Sequence, residues 1–247
     1  MRVFIPAATL ALMDFPVVAQ DAAWPGVAAR TGDDDRAPAA RPFSNPEETD
    51  LLAVLPPPPE NGSKKMQAEL AEVLKFQDTR SPKRIERARA DEAENIWIYA
   101  DVIDNPAFNA QSLPLTDAFF RWEFKSEGAV LNRVKAFYHR PRPYDYSDLV
   151  KPAVSPSKSG SYPSGHATGG TLAGIVLANM LPEGRGAIFA RAWEYGENRI
   201  VGGVRYASDV EAARIAASII AEDIWKHDDF RSELAAAKVE LRAALGM

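Results

Sequence analysis

Apolar residues recur at helical spacing through most of this chain, and nowhere do they alternate over any length as a strand requires. After Asn61 and Ser63, Met66, Leu70, Val73 and Leu74 mark one face of a first helix. Ser81-Pro82 is a start signal, a hydroxyl cap followed by proline in the first turn. The helix it opens is predicted to run through IERARADEAENIWIYADVI, with Ile85, Ala88, Ile96 and Tyr99 along one face. Glu92 interrupts that stripe, and Trp97 and Tyr99 read as core aromatics. Thr116 caps a predicted long helix through Phe120, Phe124 and Val134 to Lys135, with Gly128 a weak point in it. Pro141 and Pro143 end it, because proline lacks the donor and restricts the residue before it. From Pro143 to Pro163 there is no periodicity, and a loop of that length is usually functional or mobile.

Ser164 then caps a strongly apolar helix, His166 to Leu181, too short to span a bilayer and so expected in the core. A further helix follows Pro182, carries Ile188, Trp193 and Ile200, and stops at Gly202-Gly203. Ser208 with Glu211 forms a capping box for a helix through Ile215, Ile219, Ile220 and Trp225. An amphipathic helix over about 229–245 closes the chain. With no repeat period either, the expected fold is an all-α bundle.

The amino-terminal part differs in kind. Arg2 followed by VFIPAATLALM, with Val17-Val18-Ala19 behind it, has the layout of a secretory signal, although Asp14 and Pro16 depart from it. An uncleaved tail is the other reading. The expected organisation is a signal peptide at 1–19, a disordered Ala/Pro/Asp/Arg-rich leader at 20–50, and a helical domain at 51–247 entered through the stiff Pro56–Pro59 run. That places the protein in a periplasm or outside the cell. No other stretch is apolar enough to cross a membrane.

At 247 residues, 46% hydrophobic and 26% charged, the chain suits one globular domain with a tail. A net charge of −5 argues against a nucleic-acid partner. The absence of cysteine excludes disulfides, thiolate catalysis and zinc–sulfur sites, and three histidines leave little for a metal centre, so neither metal nor cofactor is expected. Against this acidic background Lys135, Arg140, Arg142, His166, Arg199 and Arg205 gather in three blocks between Lys135 and Asp209. Concentrated positive charge within a negative protein reads as a small anion pocket.

A phosphoryl group needs preorganised donors around its equatorial oxygens. Lys135 and Arg142 are seven residues apart and face one cavity if the helix persists, but taken alone they read as a solvated basic helix end. Ser164-Gly165-His166 is more specific. Gly165 allows close backbone approach, free N–H groups at a helix start bind anions, and His166 can protonate a leaving oxygen. A capped helix with a core histidine fits the tetrapeptide equally well. Arg199 can clamp a phosphate oxygen, while Arg205 and Asp209, four apart, fit a surface pair.

Together the blocks resemble the bacterial class A non-specific acid phosphatases, within the superfamily of type 2 phosphatidic acid phosphatases and vanadium haloperoxidases. The family pattern is Lys-x6-Arg-Pro, then Pro-Ser-Gly-His, then Ser-Arg-x5-His-x3-Asp. Lys135, Arg142 and Pro143 match the first block, and Pro163, Ser164, Gly165 and His166 the second. The likeness extends over roughly 51–247. It implies that Lys135, Arg142, Ser164, Gly165 and Arg199 hold phosphate, that His166 is the general acid, and that Asp209 orients a nucleophilic histidine.

Two departures stand in the third block: Asn198 replaces serine, and Arg205 replaces the nucleophile. A guanidinium has no lone pair to attack phosphorus. The resemblance therefore implies a phosphate monoester hydrolase of weak or rerouted activity, using direct water attack or another nucleophile such as His139. The alternative is a non-catalytic phosphate-binding relative. A haloperoxidase ranks well behind, because the family's vanadate is held through the missing histidine. Small phosphorylated substrates or inorganic phosphate are the implied partners, and a homo-oligomer is left open.

Overall fold

The computed structural model describes Ser44 and residues 48–247, and every described element of regular structure is helical. The expected signal peptide (1–19) and nearly all of the expected leader (20–50) lie outside these residues.

A short α1 (Leu51–Val54), capped by Asp50, precedes the proline run. α2 (Lys64–Thr79) starts where expected, with the Ser63 hydroxyl accepting from the Met66 N–H at 3.1 Å. Ser81 caps α3 in the same way, but α3 (Pro82–Ala90) is far shorter than the predicted helix. The chain leaves helical geometry to bury Asp91, whose carboxylate accepts from Arg191 and, at 2.7 Å, from Asn198. Asn95 then caps a separate turn of 3-10 helix (Ile96–Tyr99), which runs into α4 (Ala100–Ile103). The predicted single helix is thus three pieces, because buried polar anchors outbid apolar periodicity. Tyr99 is fully buried, as expected of a core aromatic, whereas Trp97 is half-buried and donates to Asp117.

α5 (Pro114–Tyr138) begins at its proline rather than at Thr116. Thr116 is no cap: its N–H and hydroxyl both donate to Glu240 at 2.8 Å, tying α5 to α10. α5 also ends before Pro141, at His139, which takes a left-handed conformation (φ 45°). The aperiodic stretch that follows contains one turn of helix, α6 (Pro143–Tyr146), and is otherwise irregular.

α7 (Gly165–Met180) is the central element, buried on nearly every side and packed against α5, α8 and α9. Gly170 permits that packing, since a Cβ there would sit 2.3 Å from the Tyr195 ring of α8. α8 (Arg185–Val201) follows a 3-10 turn at Pro182–Gly184 and buries Ile188 and Ile200. Trp193, read from its spacing as part of the apolar face, is 54% exposed and lies under the Arg214 guanidinium.

α9 (Ala207–Ile224) is capped differently from the prediction. Ser208 and Glu211 form no box; instead Asp209 reaches back to the Tyr206 N–H at 2.9 Å, and Ser208 bonds Glu69 of α2. α10 (Asp228–Leu245) closes the bundle on α5 through Phe230, Ala237 and Leu241. Among the described residues no helix is long and apolar enough to cross a membrane.

Candidate active site

The three sequence blocks converge because each lies at an end of a core helix. Lys135 is on the last turn of α5, Gly165 and His166 open α7, Arg199 is on the last turn of α8, and Arg205 sits just before α9. These residues, with Arg142, Glu92, Glu94 and Glu127, line one cavity of about 410 Å³. The expectation that Lys135 and Arg142 share a cavity holds, although the helix between them does not persist. Nor is this a solvated basic end. Arg142 is 2% exposed, its Nε donating to the Ser159 carbonyl at 2.8 Å and its Nη2 to the Ser159 hydroxyl at 3.0 Å.

Burial depresses all four cations of the cavity, and neighbouring cations add to that for Lys135, Arg142 and Arg205. Burial, then the neighbouring Arg205, brings the Lys135 ammonium down to about 7, with Glu127 pulling the other way. Burial, then Arg142, lowers the Arg205 guanidinium to about 9, still protonated across acid and neutral pH. Arg142 and Arg199 are lowered chiefly by burial. Lys135 donates to the Pro163 carbonyl, and Arg205 makes only a long contact, 3.5 Å, with the Gly160 carbonyl. The Nε and Nη1 of Arg199 are buried without a hydrogen-bond partner. Unmet buried donors cost free energy until an anion arrives to take them.

His166 sits among acceptors. Its Nδ1 lies 2.6 Å from a Glu94 carboxylate oxygen and its Nε2 3.1 Å from the Glu92 carbonyl, with the ring stacked on Tyr195. Burial lowers its pKa and the Glu94 bond opposes that, while the same bond holds Glu94 below the usual carboxylate range. Both ring nitrogens are satisfied only when both carry protons, which is the form a proton donor needs.

Ser164 and Asp209 are fully buried and do not line the cavity. The Ser164 hydroxyl accepts from the Ala167 N–H at 3.3 Å, and its own N–H donates to the Asp209 carbonyl at 3.0 Å. Asp209 does not pair with Arg205, and neither is a surface residue. Its carboxylate takes Arg140 Nη1 at 2.6 Å, the Ser161 hydroxyl at 2.6 Å and the Tyr206 N–H. Arg140 reaches on to Glu69 at 2.7 Å, so it joins the buried support and does not line the cavity. Asn198, at the family's serine position, donates to Asp91. His139 is exposed and is not part of the lining.

Three carboxylates of the cavity escaped the sequence reading. Glu92 and Glu94 come from the irregular stretch after α3, where the interrupted stripe was the only sign. Glu127 belongs to α5, one turn beyond the fully buried Glu123. Burial, then Glu94, lifts the Glu127 carboxyl well above its ordinary range, against the pull of Lys135 and Arg205. Its Oε2 has no hydrogen-bond partner, and its Oε1 lies 3.2 Å from where a Cβ on Gly165 would stand. Gly165 is therefore glycine in part to make room for this carboxyl.

The core helices of the bundle end around a buried cationic cavity, and the PAP2 superfamily profile matches residues 126–227 of this chain. The non-specific acid phosphatase of Providencia stuartii is 32% identical over 210 residues, spanning 80% of this chain and 83% of that protein. Its counterpart from Salmonella typhimurium is 28% identical over 83% of this chain and 86% of its own length. The acid phosphatase of Zymomonas mobilis is 31% identical over 79% and 77%. The chain belongs to the non-specific acid phosphatase family.

Proposed function

We propose that this protein hydrolyses small phosphate monoesters, with Lys135, Arg142, Arg199, Arg205 and the Gly165 N–H holding the phosphoryl group and His166 protonating the leaving oxygen. The observation that carries the reading is a cavity lined by Arg199, two of whose buried donors have no partner, together with three more cations and a helix N-terminus. Such donors stabilise charge that spreads over the equatorial oxygens as the ester bond breaks. Glu94 holds the His166 ring in place and offsets part of the burial that lowers its pKa. Asp209 and Ser164 act one layer back: they fix the start of α7 against α9 and do not touch substrate. The reading includes export, with 1–19 as signal, 20–50 as leader and 51–247 as the working domain.

Turnover of an alkyl phosphate, with calorimetry of inorganic phosphate beside it, tests this. Lys135→Ala and Arg142→Ala should each weaken phosphate binding at least ten-fold, the loss of one charge-assisted contact. Unchanged affinity in both variants would remove the pocket from the argument. Phosphate binding without any turnover would leave a phosphate-binding relative that has lost its chemistry.

A further inference from the structure

Which atom attacks phosphorus is open in this cavity, and the candidates fall away one by one. Arg205 occupies the family's nucleophile position and has no lone pair to give. His166 is already taken as the acid, with its Nδ1 held by the Glu94 carboxylate. Of the other two histidines, His139 lies outside the cavity lining, and His227 follows α9 and pairs with Glu48. The three serines of the lining are exposed: the Ser159 hydroxyl accepts from Arg142, the Ser157 hydroxyl bonds that of Ser159, and Ser155 meets Glu92 through its N–H.

What remains is water, and a carboxyl placed to take its proton. Glu127 is 8% exposed, lines the cavity, and abuts Gly165, whose N–H is among the first at the helix start. A carboxyl lifted above its ordinary range and set among the cavity's cations is suited to take up a proton during the reaction. Its Oε2 is buried without a hydrogen-bond partner, and a small turn of the side chain toward the cavity it lines would give it a water beside the phosphoryl group.

We propose that Glu127 is the general base of a single displacement by water, an inference that rests on the phosphatase reading above. The water oxygen forms the new P–O bond while its proton passes to the Glu127 carboxylate. The ester P–O bond breaks, its electron pair stays on the leaving oxygen, and the His166 imidazolium protonates it. The proton on Glu127 then returns to His166 through solvent as phosphate departs. No phosphoenzyme forms, and phosphorus inverts once.

The stereochemical course decides it. A phosphorothioate monoester made chiral at phosphorus with two oxygen isotopes is hydrolysed by the full chain in water of the third, and the product configuration is read. Inversion is expected, with no radiolabel trapped on protein in a rapid quench. Retention, or a trapped phosphohistidine, overturns the proposal while leaving the phosphatase reading standing. Absence of turnover with phosphate still bound overturns both. Glu127→Gln should lower kcat on the alkyl phosphate by about a hundred-fold or more, with phosphate affinity equal or higher because a repelling carboxylate is gone. Glu127→Ala should regain part of the loss when formate is added, which a merely structural role would not allow. Inversion with full activity of both variants would leave water as nucleophile and remove Glu127 as its base.

Discussion

Replacing Arg205 by histidine pulls two measurable quantities in opposite directions. The substitution removes a buried guanidinium whose one protein hydrogen bond is a 3.5 Å contact with Gly160. The fold should therefore lose little stability. Phosphate, however, loses a charge-assisted partner worth about 1.5–3 kcal/mol, or roughly ten- to a hundred-fold in Kd. Lys135 gains in return, because Arg205 is the charge that most depresses it. Against that loss stands an imidazole where the family keeps its nucleophile. Full reconstitution of a nucleophile is worth up to about a million-fold elsewhere. Only a small share of that is expected here, because Asp209 is already occupied by Arg140, Ser161 and the Tyr206 N–H. A carboxylate offers about four acceptor sites, so one remains to orient the new ring. The expected gain is about ten- to a hundred-fold in turnover of an aryl phosphate, with an acid-labile, base-stable phosphoenzyme in rapid quench and a change from inversion to retention at phosphorus. If phosphate binds more weakly as calculated, yet neither the gain nor the phosphoenzyme appears, the retained Asp209 cannot serve a nucleophile, and the idea of a vacant but intact slot is wrong.

Three further outcomes are expected. Sulfate, which does not titrate in this range, should bind more weakly as pH rises through about 7, because the anion favours the protonated Lys135; calorimetry on Lys135→Arg should remove that step. His166→Ala should nearly abolish turnover of an alkyl phosphate and spare much of the activity on an aryl phosphate, whose leaving group needs little protonation. Arg140→Ala strands the buried Asp209 and Glu69 without their shared cation, at a cost of about 3–5 kcal/mol and a fall in Tm on the order of ten degrees by calorimetry.

The bundle and most of its long helices were legible because their apolar faces and caps are local signals: Ser63, Ser81 and Ser164 cap as read. The errors fall where distant polar partners decide local structure. Asp91 breaks a periodic helix to reach Arg191 and Asn198 on α8, and Glu69 draws Ser208 away from the capping box its neighbours spell out. Neither partner can be inferred from spacing. Within the site, the cationic residues could be read from the three blocks, but the carboxylates could not. Glu127 sits where a helical pattern calls for an apolar residue, and only the burial of α5 shows that the exception faces a cavity.

Glu69 has a wider bearing. Through Arg140 and Ser208 it fastens α2 to the ends of α5 and α9, yet it lies well outside the 126–227 stretch that the superfamily profile covers. The motif-bearing segment is therefore not a transplantable cassette: grafted onto another scaffold without α2, it would carry a buried arginine short of a counter-charge. The irregular stretch after α3 is the more permissive place for change. Asp91 and Asn95 are its fixed posts, whereas Glu92 and Glu94 between them face the cavity. A library confined to Glu92, with Glu94 kept on His166, could retune which alcohols leave from phosphorus without disturbing the clamp that holds the three motifs together.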